Sequence, residues 1–204
     1  MKVFIKLASY LFHPIWMPFI GALIFFEITP RFFPDPVVKA KLLAISILTV
    51  FIPIVFYFLL KNLNLVDNMM LKTAQERRLP MLFFCLVILT VINFILPERE
   101  YIALFYFFSG ILYTSMMGLL LVIFKFKVSL HMMGISGVAV FLACLSITYG
   151  INLSYLIAFT LFAIGWTASS RIQQKAHSNI ELIVGTLIGG LPQFILLIGK
   201  NIIL

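Results

Sequence analysis

Near the C-terminus, Ser170 and Arg171 are followed after five residues by His177 and after three more by Glu181. If a helix begins near residue 178, His177 and Glu181 lie one turn apart on one face, where the carboxylate can accept the imidazole Nδ1 proton. That bond fixes the tautomer and leaves Nε2 as a nucleophile or base. An interfacial His beside a snorkelling Arg would be the bland alternative, but the three offsets together favour chemistry. A second histidine, His131, follows Lys125, Lys127 and Ser129 and opens an apolar run. A helix starting there presents free N–H groups and a positive dipole end, which with Ser129 makes an anion site. A third group, Lys72, Arg77 and Arg78 before Pro80, reads alone as membrane-surface charge and, beside the other two, as the rest of an oxyanion cage.

These residues must be positioned by elements of an unusual kind. Of 204 residues, 63% are hydrophobic and 11% charged, against about 25% charged in a soluble domain. A water-soluble domain, a disordered chain and a nucleic-acid module are all excluded, because the 15 Lys and Arg sit between apolar runs too long to form a solvated basic face. The net charge of +8 is loop charge that faces anionic headgroups. Cys85 and Cys144 lie inside apolar runs with no zinc or redox spacing and read as small buried hydrophobes.

Cutting the chain where charge interrupts the apolar runs gives candidate spans near 7–28, 42–60, 80–97, 101–124, 131–149, 151–169 and 181–199. The fold expected is an all-α polytopic transmembrane bundle of six to seven spans, forming a single integral membrane domain over 1–204. The count depends on whether the first run, with His13, Pro14 and Pro18, crosses or re-enters. It has a basic start but no small-residue cleavage site, so it reads as a retained span. The third run opens at Pro80, as a first helical turn allows.

Seven crossings bring the N-terminus and the loops 61–79, 125–130 and 170–180 to one face. That face holds ten Lys and Arg against five on the other, which predicts that it is cytoplasmic. Tyr101, Tyr149 and Tyr155 fall near the opposite face, as an interfacial aromatic belt would. Gly185, Gly189 and Gly190 form a small-residue stripe expected to pack closely on another helix, with Gly134 and Gly137 serving likewise. Glu27, Asn93 and His13 with Pro14 are polar outliers, read here as structural.

The three polar groups, in this order, resemble the type 2 phosphatidic acid phosphatase (PAP2) superfamily of membrane lipid phosphatases, whose motifs are KxxxxxxRP, PSGH and SRxxxxxHxxxD. The resemblance covers about residues 67–192, the PAP2-like core, and reproduces the two helices between successive motifs. The third motif matches except that Glu181 replaces Asp. The second reads Val128, Ser129, Leu130, His131, and the first places Lys72 and Arg78 six apart with Leu79 before Pro80.

The resemblance implies hydrolysis of a phosphate monoester or pyrophosphate on a lipid, without metal or other cofactor. His177 would form a phosphohistidine, Glu181 would hold its other nitrogen, and His131 would protonate the leaving oxygen and then activate water. Arg78, Arg171, Ser129, Ser170 and Lys72 would hold the equatorial oxygens. The expected partners are a lipid phosphate and membrane lipids, with no nucleic acid, in a bacterial inner membrane. Bacterial relatives commonly open their sites to the outer face of that membrane, against the charge count. The departures at Leu130, Lys72 and Glu181 keep an alternative open, a catalytically degenerate lipid-phosphate binding or translocating protein. An ion channel or transporter is disfavoured, since acidic residues are few and the spans lack paired interruptions.

Overall fold

A computed structural model describes residues 2–67, 71 and 73–199. Among these residues the secondary structure is helical throughout, without strands. The first span is broken in the middle: α1 (Lys2–Leu11) gives way at His13 and Pro14 to a 3₁₀ turn over Pro14–Trp16, and α2 (Met17–Ile28) continues it. Pro14 cannot donate to the preceding turn, so the helix breaks there and restarts. The second span is α3 (Asp35–Ser46), a wide π turn at Ile47–Phe51 that precedes Pro53, and α4 (Ile52–Asn62). The remaining spans are α5 (Ala74–Thr90) with a π turn over Val91–Ile95, α6 (Ile102–Ile123), α7 (Leu130–Tyr149), α8 (Ser154–Gln173) and α9 (Asn179–Gly199).

Seven of the helical segments described are long and apolar enough to cross a membrane, the first being Val3–Ile28. The protein is an all-α integral membrane bundle. The third span begins earlier than Pro80: Thr73 Oγ1 accepts the Glu76 N–H at 3.3 Å and caps α5, so Pro80 sits inside the helix. The sequence Ala74–Leu79 is charged but carries good helix formers, and a proline near the start of a helix frees only one carbonyl.

The central helix is α7, buried along most of its length and packed on α2, α6, α8 and α9. The glycines of α9 permit its closest contact. A Cβ at Gly185 would lie 2.8 Å from the Ser129 carbonyl oxygen, and one at Gly189 would lie 2.7 Å from Met133 Cα, so backbone meets backbone along this seam. Tyr101 is a departure from the expected aromatic belt. It is 3% exposed and stacks on Phe33 with ring centroids 5.3 Å apart, while Tyr155 is 93% exposed as an interfacial residue would be.

Candidate anion site at one end of the bundle

The N-termini of α5, α7 and α9, the C-terminus of α8 and the break in the first span gather at one end of the bundle. There His13, Arg77, His131, Arg171 and His177 line one small cavity, together with Pro14, Leu71 and Leu130. None of the lining residues is acidic, so the cavity's charge is cationic. Arg77 and Arg171 are each 3% exposed, which makes them cations held out of water.

His177 owes its position to two helix ends. Helix α8 closes with Lys175 in the left-handed region (φ 52°) and the Ala176 N–H on the Arg171 carbonyl at 3.0 Å. Helix α9 opens with a capping box: Ser178 Oγ accepts the Glu181 N–H at 3.4 Å, and Glu181 Oε2 accepts the Ser178 N–H at 3.0 Å. The same Oε2 accepts the His177 Nδ1–H at 2.9 Å, as the spacing predicts. Glu181 therefore fixes the start of α9 and the His177 tautomer together, and leaves Nε2 carrying a lone pair. Burial and the Arg77 guanidinium push the His177 pKa down to about 4, against the raising effect of Glu181, so the imidazole is neutral near pH 7.

His131 is 6% exposed, and its Nε2–H donates to the Ser9 carbonyl at 3.0 Å, leaving Nδ1 as its unprotonated nitrogen. Ser9 is a hub. Its hydroxyl lies 2.8 Å from Ser170 Oγ and accepts from Gln174 Nε2 at 3.0 Å and from Arg171 Nη1 at 3.4 Å. Ser170 is thus fully buried in a network behind the cavity instead of on its wall. Ser129 is also fully buried, and its Oγ has no partner. Arg171 Nε is likewise buried and unpartnered.

The arginine that reaches the cavity from α5 is Arg77, not Arg78. Arg77 lies on the buried stripe with Met81, Cys85 and Ile88, whereas Arg78 shares the outward stripe with Leu82 and Leu86. Arg77 Nε donates to the Leu71 carbonyl at 2.8 Å and Nη1 to the Val128 carbonyl at 2.7 Å, tying two loops to the site. Arg78 is exposed and its Nη2 lies 3.4 Å from the Ile123 carbonyl at the end of α6, where a cation complements the helix dipole. Lys72 lies outside the described residues. Lys127, half-buried near Arg77, has its pKa lowered by burial and then by that guanidinium.

Sequence reasoning did not single out Ser9, Gln174 or the placement of His13 on the cavity wall. The available signal was weak but real: Ser9 and His13 are four apart in an apolar run, a helical spacing that puts two polar groups on one side. Among the described residues no three His, Cys, Asp or Glu side chains approach one another as ligands of a metal would.

A second, larger cavity shares His13, Pro14, Leu71 and Leu130 with the first. Residues of α4, α5, α6, α7 and α9 wall it, among them Phe56, Phe84, Ile111 and Met133, so it is apolar. The bundle therefore holds a cationic chamber and a hydrocarbon-lined one on either side of a common wall. No protein-family model, curated protein or solved structure matches this chain.

Proposed function

We propose that the protein is a membrane lipid phosphatase that hydrolyses a phosphate monoester or pyrophosphate on a lipid, as its resemblance to the PAP2 superfamily implies. The observation that carries the reading is the juxtaposition of the two cavities, one able to hold a phosphate and the other a hydrocarbon chain. His177 Nε2 attacks phosphorus and the bond to the leaving oxygen breaks. The leaving oxygen takes a proton from His131, entering the step protonated on both nitrogens and giving up the proton on Nδ1, because Nε2–H is committed to Ser9. Water then attacks the phosphohistidine, returns a proton to His131 and releases phosphate with His177 restored. Arg77 takes the place that the motif spacing assigns to Arg78, and Arg171 holds the equatorial oxygens with it.

Phosphate release from phosphatidate, phosphatidylglycerophosphate and prenyl pyrophosphates in detergent tests the reading. Turnover by the wild type that is absent in His177→Ala is the expected result, and turnover that survives the substitution overturns the mechanism.

The second reading, a degenerate lipid-phosphate binding or translocating protein, draws support from Leu130 on the cavity wall, where the motif has a glycine that lets phosphate approach the backbone. It predicts lipid binding without turnover. For sidedness, the charge count supports a cytoplasmic site in a bacterial inner membrane. A cysteine at the exposed Asn64, in a background lacking Cys85 and Cys144, stays unlabelled by an impermeant thiol reagent in intact cells if this is right.

A further inference from the structure

We infer that His13 is a third histidine of the anion site, donating a hydrogen bond from Nε2–H to an oxygen of the bound phosphoryl group. The inference rests on the phosphoryl-transfer reading above and adds to it a residue from the first span, outside all three motifs.

His13 Nδ1 accepts the Ile15 N–H at 3.3 Å, capping the 3₁₀ turn that follows Pro14. A ring nitrogen that accepts a backbone N–H carries a lone pair, so in the neutral imidazole the proton is on Nε2. The cap uses only the near edge of the ring. Ser, Asn or Asp would cap as well, whereas the imidazole also reaches the cavity wall, edge-on to His131 with ring centroids 5.2 Å apart and planes at 83°.

The three histidines are therefore not equivalent. In the resting site His177 offers a lone pair at Nε2 and His131 one at Nδ1, the nitrogen that takes up and gives back the proton of the transfer, because their other nitrogens donate to Glu181 and to Ser9. His13 is the one whose acceptor nitrogen is already engaged and whose N–H is left over for a ligand. Part of the arginine donor capacity is spent inside the protein: Arg77 Nε and Nη1 hold carbonyl oxygens, and Arg171 Nη1 holds Ser9 Oγ. A phosphoryl group in flight spreads charge over three equatorial oxygens, and an additional fixed donor on the cavity wall stabilises it. His13, on the cavity wall with only its Nδ1 engaged, is suited to this.

The test uses the full-length protein in detergent and orthovanadate, which adopts the five-coordinate geometry of the transfer, with binding measured by calorimetry. His13→Asn keeps an acceptor for the Ile15 N–H but has no donor at the Nε2 position, while His13→Gln reaches that position with an amide N–H and gives up the cap. Vanadate affinity is expected to fall about 10- to 100-fold in His13→Asn with the thermal midpoint nearly unchanged, and to recover in His13→Gln despite a lower midpoint. Wild-type affinity in a folded His13→Asn overturns the inference and leaves the lipid phosphatase reading in place. If the wild type releases no phosphate from any lipid but binds vanadate in a His13-dependent way, the catalytic reading falls and the inference stands. Failure of the wild type to bind vanadate at all overturns the inference, and phosphate release from lipid then decides the phosphatase reading separately.

Discussion

His131 Nε2–H donates to the carbonyl oxygen of Ser9 across 3.0 Å, joining the start of α7 to the first span over 122 residues of sequence. Because the Ser9 hydroxyl also meets Ser170, Arg171 and Gln174, this one residue links two of the three polar groups that the sequence singles out. Ser9→Ala keeps the carbonyl but removes the hub, leaving buried donors with fewer acceptors. It should cost about 1–3 kcal/mol and lower kcat for phosphate release, while Ser9→Thr, which keeps the hydroxyl, retains more of both. Thermal unfolding in detergent and turnover measured together check this, and an unchanged Ser9→Ala would remove Ser9 from the site.

Adjacent arginines on α5 have opposite fates, which gives a sharp comparison. Arg77 lines the cavity and Arg78 is exposed beside the end of α6. Arg77→Gln should reduce kcat about 10²- to 10³-fold, the cost of losing a donor at a developing oxyanion, whereas Arg78→Gln should stay within about twofold, as surface changes do. The reverse order in phosphate release would restore the assignment that the KxxxxxxRP spacing suggests.

The contrast between these arginines also shows where the sequence was legible. Apolar run length reveals the spans, because a bilayer demands about 20 apolar residues per helix. The pairing of His177 with Glu181 is legible because it is local, one helical turn fixed by a capping box. The choice between Arg77 and Arg78 depends on helix phase, and Thr73, not Pro80, sets the start of α5. Ser9 and His13 join His131, Arg171 and His177 only through packing of the first span on α7 and α8, a non-local contact that no motif spacing encodes.

Close packing of α9 on α7 carries a prediction for the seam. Gly185 faces the carbonyl of Ser129, the residue before the α7 helix, and a Cβ there would lie 2.8 Å from that oxygen. Backbone cannot move aside as a side chain can, so Gly185→Ala should push the two helices apart and cost about 1–3 kcal/mol. Since His131 and His177 stand at the adjoining ends of these helices, turnover should fall with stability. Gly165, whose added Cβ meets nothing within 4 Å, is the control: Gly165→Ala should be neutral or stabilising by up to about 1 kcal/mol.

The pH dependence follows from the environment of His177. Its folded pKa, about 4, lies below the ordinary histidine value of 6.5 because burial and then Arg77 disfavour the cation. The neutral imidazole therefore persists in acid, and the limb of kcat/KM that His177 controls under the proposed mechanism should fall near pH 4 instead of near 6.5. For stability the sign is the same. Between about pH 4 and 6.5 the unfolded chain binds a proton at this position that the folded chain does not, so its contribution is complete above 6.5 and is lost as pH falls through 4. The thermal midpoint of the wild type should thus exceed that of His177→Ala by more at pH 7 than at pH 4, because the wild type loses more on acidification. Glu181→Gln removes the charge opposite the imidazole and should reduce kcat by about 10²- to 10⁴-fold, as loss of a histidine-orienting carboxylate does elsewhere. Because Glu181 raises the His177 pKa, the acidic limb of any residual activity should shift further down, and a shift upward would exclude His177 as the group that controls it.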